Sequence, residues 1–110
     1  MTAIRKFTRN KLAVGLFGAN CDGGLACSTF PERWEATWDN CRELAVQADD
    51  AGIDFMLPLG RWIGYGGETN HNGSNFETIA WASGLLAATK NIMAFGTVHV
   101  TAHSPAVAAK

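Results

Sequence analysis

The sequence predicts an α/β fold of parallel strand–helix units in the order β-α-β-α-β-(α). Three observations carry that expectation. Three short apolar runs, KLAVGLFG (11–18), IDFMLPL (53–59) and IMAFGTVHV (92–100), have the length and hydrophobicity of strands covered on both faces. Between them lie two stretches whose apolar residues recur at three- and four-residue steps, the spacing of one helix face. The runs begin roughly 40 residues apart, and Gly52 alone separates the first helical stretch from the next strand. That is the rhythm of a parallel crossover rather than a hairpin.

Residues 1–10 are polar and basic and read as a loose extension. The basic start followed by a short apolar run is a weak match to a signal peptide, and a first buried strand is the better reading. That strand spans Lys11–Gly18 and contains the β-branched Val14. The segment 19–33, ANCDGGLACSTFPER, is a long loop with a turn at Asp22-Gly23-Gly24. Long loops after a strand's carboxyl end are often functional. The first helix is expected from about Pro31 to Ala51. Trp34, Trp38, Cys41, Ala45 and Ala48 form its inner face, and Leu44 widens it. Glu32, Glu35, Asp39, Arg42 and Glu43 face outward, and Gly52 stops the helix.

The second strand, from Ile53, runs directly into Gly60-Arg61-Trp62 and then Gly64-Tyr65-Gly66-Gly67. Ligands in α/β sheets gather at the carboxyl ends of the strands, so this junction is the candidate site. Glycine lets a ligand approach the backbone, and Arg61 is a fixed cation at the mouth. A polar loop, ETNHNGS (68–74), follows. Ser74 and Glu77 make an S-x-x-E capping box for a second helix. Its buried face is expected at Phe76, Ile79, Ala80, Ser83, Leu86 and Ala87, with Trp81 off the stripe. Lys90 suits the negative helix end and Asn91 turns the chain. The third strand, Ile92–Val100, leads through Thr101, Ala102 and His103 to Ser104-Pro105, a cap followed by proline at the first position of a third helix. Three strands cannot close a barrel and leave two bare edges in an open sheet. The expectation is therefore the N-terminal piece of a larger α/β protein, such as an eightfold barrel of about 250 residues.

Composition narrows the function classes. A net charge of −1 leaves no basic footprint for nucleic acid. No apolar run approaches the roughly 20 residues of a membrane span. Cys21, Cys27 and Cys41 are odd in number and lack CxxC spacing, against a disulfide framework or a structural zinc site. Reduced thiols in the cytoplasm are expected, with Cys41 in the core. A catalytic role for Cys21 or Cys27 is disfavoured because most free cysteines pack. His99 and His103 are four apart but straddle a strand end and a turn, with no carboxylate cluster beside them, so no metal site is expected. GANCDGG is not G-x-G-x-x-G, and neither a Walker motif nor a G-x-S-x-G elbow occurs.

The run Phe55-Met56-Leu57-Pro58-Leu59-Gly60-Arg61, followed by Gly64-Tyr65-Gly66-Gly67, resembles the bacterial-luciferase-like flavin-dependent monooxygenases, nearest the pyrimidine and dimethyl sulfone monooxygenase branch. The third strand and its exit, Phe95-Gly96-Thr97 through Ser104-Pro105-Ala106-Val107-Ala108-Ala109-Lys110, is similar to the same family, as is the helix end Leu85-Leu86-Ala87-Ala88-Thr89. The resemblance covers residues 11–110 but only the first part of the family's usual length. It implies that 1–110 is a single partial domain, the N-terminal β-α-β-α-β-(α) portion of a (β/α)8 TIM barrel. It implies a cytoplasmic oxidoreductase: an FMNH2-dependent monooxygenase using O2 on a small organic substrate, homo-oligomeric at full length. Reduced FMN would come from a separate flavin reductase, and the 110 residues alone would be inactive. By position, Leu59, Gly60, Arg61 and Thr97 are the implied cofactor contacts. Trp62, His71 and His99 are the candidate substrate-pocket residues, and no catalytic residue is assigned. The loop with Cys21 and Cys27 is not a family pattern. TNHNG (69–73) departs from the pyrimidine and sulfone branch, which leaves the substrate open. Two alternatives remain: a deazaflavin (F420)-dependent oxidoreductase of the same barrel family, and a truncated homologue acting only through association.

Overall fold

The structure is a computed structural model that describes residues 12–110. The expected extension 1–10, and Lys11, lie outside the described residues. The elements are β1 (Gly15–Phe17), α1 (Trp38–Asp50), β2 (Phe55–Leu57), α2 (Thr78–Ala88), β3 (Met93–Ala94) and α3 (Pro105–Ala108). The three strands form one parallel sheet in the order β1-β2-β3, with Gly15 opposite Phe55 and Phe55 opposite Met93. The expected alternation and the parallel α/β class therefore stand, with α1 and α2 each crossing between neighbouring strands.

The strands are shorter than the apolar runs. Leu12 and Val14 are exposed, and the ladder starts where Asp54 grips Val14. The Val14 N–H donates to the Asp54 carboxylate at 2.9 Å, and the Asp54 N–H donates to the Val14 carbonyl at 2.9 Å. At the other edge the expected strand to Val100 ends at Ala94. The Phe95 N–H still reaches the Met56 carbonyl at 2.9 Å. Beyond it the chain is drawn toward α2, because the Thr78 hydroxyl donates to the Thr97 carbonyl and accepts from the Thr97 N–H. His99 consequently lies on a loop rather than in a strand.

The first helix begins at Trp38 instead of Pro31. Thr37 is the extended cap residue, and its hydroxyl accepts from the Asn40 N–H at 3.2 Å. Ahead of it the backbone is committed elsewhere: the Ala36 N–H donates to the Asp22 carboxylate at 2.8 Å and the Gly23 N–H donates to the Trp34 carbonyl at 2.8 Å. Trp34 is thus not on the helix; its indole N–H donates to the Ala19 carbonyl at 2.9 Å. Trp38 is 38% exposed rather than core. It meets Phe76 edge-on at 6.4 Å and lies over Gly84 of α2, where a Cβ would sit 2.4 Å from its ring. Cys41, Ala45 and Ala48 are buried as expected. Gly52, at φ 81°, closes α1 with Gly52 N–H to Asp49 O (3.1 Å) and Ile53 N–H to Ala48 O (2.9 Å), the paired bonds of a Schellman stop.

The second helix corrects two expectations. Its cap is Glu77, whose carboxylate accepts from the Ile79 and Ala80 N–H groups at 3.1 and 2.7 Å. Ser74 does not cap it; the Ser74 carbonyl accepts from the Asp22 N–H at 2.9 Å, and the chain stays extended through the Cys21–Asn75 bridge. The buried face is Thr78, Trp81, Ala82 and Leu85, while Ile79 and Leu86 are exposed. TIAWASGLLAA is apolar nearly all round, so spacing alone could not orient it, and the largest side chain took the core. Lys90 lies past the helix end, where its N–H donates to Asp49. Met56 of β2 sits at the centre of the core, against the small residues of α1 and the Trp81–Leu85 face of α2. Ser104 caps α3 and Pro105 opens it, as the sequence predicts.

Candidate active site at the carboxyl end of the sheet

The site is assembled by a buried amide. Asn20, two residues past Gly18, is fully buried. Its side-chain oxygen accepts from the Leu59 N–H at 2.8 Å, and its amide nitrogen donates to the Leu59 carbonyl at 3.0 Å and the Phe76 carbonyl at 3.1 Å. The Phe76 N–H returns to the Asn20 carbonyl at 2.9 Å. One side chain therefore joins the exits of β1 and β2 to the approach of α2. Leu59 is held behind the site by its backbone and is absent from the lining of the clefts.

Beyond Leu59 opens a cleft of about 310 Å³. Gly60, Arg61, Trp62, Thr97 and His99 line it together, facing the start of α2 from Phe76 to Ile79. Gly60 keeps this floor open: a Cβ there would sit in tight contact, 3.3 Å from the Thr97 hydroxyl and 3.4 Å from His99 Nε2. Trp62 meets His99 edge-on at 5.1 Å. A second, more open cleft of about 390 Å³ shares Gly60, Arg61, Trp62 and His99 on the side of Thr101 and Ala102. Arg61 lies with its guanidinium 3.5 Å from the centre of the Tyr65 ring, and its Nε is buried with no hydrogen-bond partner among the described residues. His71 lines neither cleft. It stacks on Tyr65 at 5.7 Å and 23°, with a buried, unpartnered Nδ1.

Of the seven residues singled out from the sequence, the fold thus brings five into one cleft, holds Leu59 behind it and leaves His71 outside. Sequence reasoning passed over Asn20 and Thr78, and read Glu77 only as part of a capping box and not as a neighbour of the cleft. An asparagine just after a strand's final glycine, Gly18-Ala19-Asn20, was the available signal for the first. Glu77 borders the cleft, yet the N–H groups of Ala80 and Ile79 hold its carboxyl below the usual range. It is an ionised helix cap and not a general acid. Burial pushes the Cys21 thiol up to about 11 despite the nearby charge of Arg61, and burial also raises Cys41. Both stay protonated near neutrality and offer no thiolate nucleophile. Cys27 is exposed. Among the described residues no group of His, Cys, Asp and Glu converges to hold a metal ion, and no helix is long and apolar enough to cross a membrane.

Comparison of the sequence with known proteins places the chain in a family. Residues 17–110 match the luciferase-like monooxygenase family model. Pyrimidine monooxygenase RutA of Agrobacterium fabrum is 28% identical over 99 residues, which is 90% of this chain and 27% of that protein. Pyrimidine monooxygenase RutA of Pseudomonas syringae pv. syringae is 29% identical over 97 residues, 88% of this chain and 27% of that protein. The chain spans about a quarter of the length of these curated relatives, 27% in both cases. The branch suggested by residues 55–67 and 95–110 is the branch these relatives occupy, and the chain belongs to the luciferase-like monooxygenase family.

Proposed function

We propose that residues 12–110 form the opening units of a (β/α)8 barrel, a single partial domain, and contribute one wall of the reduced-flavin site of an FMNH2-dependent monooxygenase. Family membership supports the reaction class. The observation that carries the site is Arg61: a cation on a glycine-backed cleft whose buried Nε–H has no acceptor within the described residues. A reduced isoalloxazine fits that demand, since its pyrimidine edge carries carbonyl acceptors and takes on negative charge. At about 310 Å³ the cleft is at the small end of ligand pockets, roughly 300–1,000 Å³, room for a ring system without its phosphate tail. The phosphate contacts belong, on this reading, to later barrel units.

Bound reduced FMN supplies the electrons that activate O2 for oxygen transfer to a small organic substrate. This chain's residues bind and orient. Arg61 donates to a ring carbonyl and balances the negative charge. Gly60 admits the ring close to the backbone. Thr97, its own N–H and carbonyl already satisfied by Thr78, presents its hydroxyl to the cleft beside Gly60. Trp62 and His99, edge to face, line both clefts and offer aromatic surface to the substrate. His99 Nε2, near the Gly60 floor, is the atom placed to hold or pass a proton. The same reading assigns a separate flavin reductase as the supplier of FMNH2, a cytoplasmic location and a homo-oligomer. The relatives are named for pyrimidines. Because TNHNG (69–73) departs from their branch, the substrate is proposed only as a small organic molecule.

The test is anaerobic titration of the complete barrel protein that carries this sequence with dithionite-reduced FMN, followed by flavin fluorescence. Losing a hydrogen bond to a charged donor costs about 1.5–3 kcal/mol, so Arg61→Ala should weaken binding roughly tenfold or more. Equal affinity in the two proteins removes Arg61 from the site. Binding of deazaflavin F420 in place of FMN would turn the reading to the hydride-transferring branch of the same barrel.

A further inference from the structure

Arg61 makes no hydrogen bond or ion pair with any described residue. Its guanidinium instead lies over the Tyr65 ring, 3.5 Å from the ring centre. We propose that Tyr65, backed by His71, is a positioning residue that fixes the Arg61 guanidinium for the ligand of this cleft. The choice of partner has a chemical reason. A carboxylate would occupy the in-plane N–H fork of the arginine and cancel its charge. An aromatic ring engages the guanidinium through its face, leaving the in-plane donors and the positive charge free for a ligand. A free arginine side chain carries about 2 kcal/mol of rotamer entropy, and a ring that removes part of it beforehand lowers the cost of binding.

Tyr65 is 66% exposed, so its own burial does not place it. The backbone of the 64–73 loop does. The Tyr65 N–H donates to the His71 carbonyl at 3.0 Å, and the same two residues stack their rings. Gly64 lies against Gly73 so closely that a Cβ would be 2.5 Å from its Cα. Asn72, fully buried and at φ 55°, pins the loop to the first loop through its amide, which donates to the Asp22 carbonyl at 3.2 Å and the Gly24 carbonyl at 3.1 Å. Asparagine adopts the left-handed region more readily than most residues, and here both amide N–H bonds of Asn72 are spent on the first loop. The pinned loop delivers Tyr65 and His71 behind Arg61.

The positioning claim stands apart from any cofactor; its consequence for binding rests on the reduced-flavin reading above. The first measurement is therefore ligand-free. In the 15N-arginine-labelled protein, with the Arg61 signal assigned by its loss in Arg61→Lys, the Hε resonance should be shifted upfield by the tyrosine ring current. Tyr65→Phe should keep the shift and Tyr65→Leu should abolish it, with unchanged circular dichroism in both. An Hε shift equal in Tyr65→Leu and the parent protein overturns the proposal. The second measurement is the anaerobic reduced-FMN titration. A cation–π contact at an exposed site is worth about 0.5–1 kcal/mol, so Tyr65→Leu should weaken binding about two- to fivefold and Tyr65→Phe should not. On an Arg61→Ala background Tyr65→Leu should add nothing. An equal loss on both backgrounds shows that Tyr65 acts independently of Arg61 and overturns the proposal, while the flavin reading survives. If the complete barrel protein that carries this sequence binds no reduced FMN, the flavin reading falls and the ring-current shift alone decides the positioning.

Discussion

Asp49 offers the sharpest quantitative test of how β3, and with it Thr97 and His99, is held in place. It sits in the last turn of α1, where a negative charge opposes the helix dipole. The structure explains the choice: its carboxylate accepts from the N–H groups of Lys90 (2.6 Å), Asn91 (3.1 Å to each oxygen) and Ile92 (2.9 Å). Burial, at 9% exposure, raises the pKa, but these three N–H donors outweigh it and hold the carboxyl below its ordinary value. In Asp49→Ala the Lys90 and Asn91 N–H groups lie at exposed residues and can recruit water, whereas the Ile92 N–H, at a residue 4% exposed, cannot. Losing one buried charge-assisted bond plus partial loss of the others gives about 2–4 kcal/mol. Because the folded pKa lies below the unfolded value of about 3.9, that stabilisation is fully present above the unfolded pKa and disappears as pH falls through the folded one. Urea unfolding of the parent and Asp49→Ala should therefore differ by the full amount at pH 7 and converge toward pH 2. A gap under about 0.5 kcal/mol at pH 7, or one that widens in acid, refutes the reasoning.

Three further outcomes follow from contacts already described. Gly84→Ala places a Cβ 2.4 Å from the Trp38 ring and should cost about 1–3 kcal/mol in urea unfolding, against a gain for an ordinary helical glycine. Asn20→Ala strips partners from the Leu59 N–H and two carbonyls, and should cost about 2–4 kcal/mol and reduced-FMN binding together, read by denaturation and titration. At pH 8 a thiol reagent should label Cys27 alone in the folded protein, and Cys21 and Cys41 only in denaturant, as mass spectrometry would show; rapid labelling of Cys21 in the native state contradicts its burial and raised pKa.

Much of this arrangement is visible in the chain because it rests on local chemistry. Apolar runs place the strands in order, Gly52 and Ser104-Pro105 mark helix ends, and Gly60-Arg61 at a strand exit marks the cleft. What was not visible depends on distant partners. The start of α1 moves to Trp38 because Asp22 claims the Ala36 N–H across 14 residues. The cap of α2 moves to Glu77 because Asp22 also claims the Ser74 carbonyl. Trp81 turned inward on a helix with no polar face to orient it. His71 reads as a pocket residue until the left-handed turns at Asn70 and Asn72 fold it back against Tyr65.

The Asn20 clamp has a consequence for how the site comes into being. Its bonds reach across 39 residues to Leu59 and 56 to Phe76, so no single strand–helix unit contains both ends. A chain that has folded only its first unit has a strand and a helix but no cleft. Local opening that frees either Leu59 or Phe76 erases the floor of the site as well. Any ligand of the cleft therefore binds only the state in which both units are docked, and its binding energy is transmitted to the whole unit rather than to one loop. Exchange of the Leu59 amide, whose N–H is held by Asn20, therefore reports the opening of the site floor and should slow when a ligand fills the cleft.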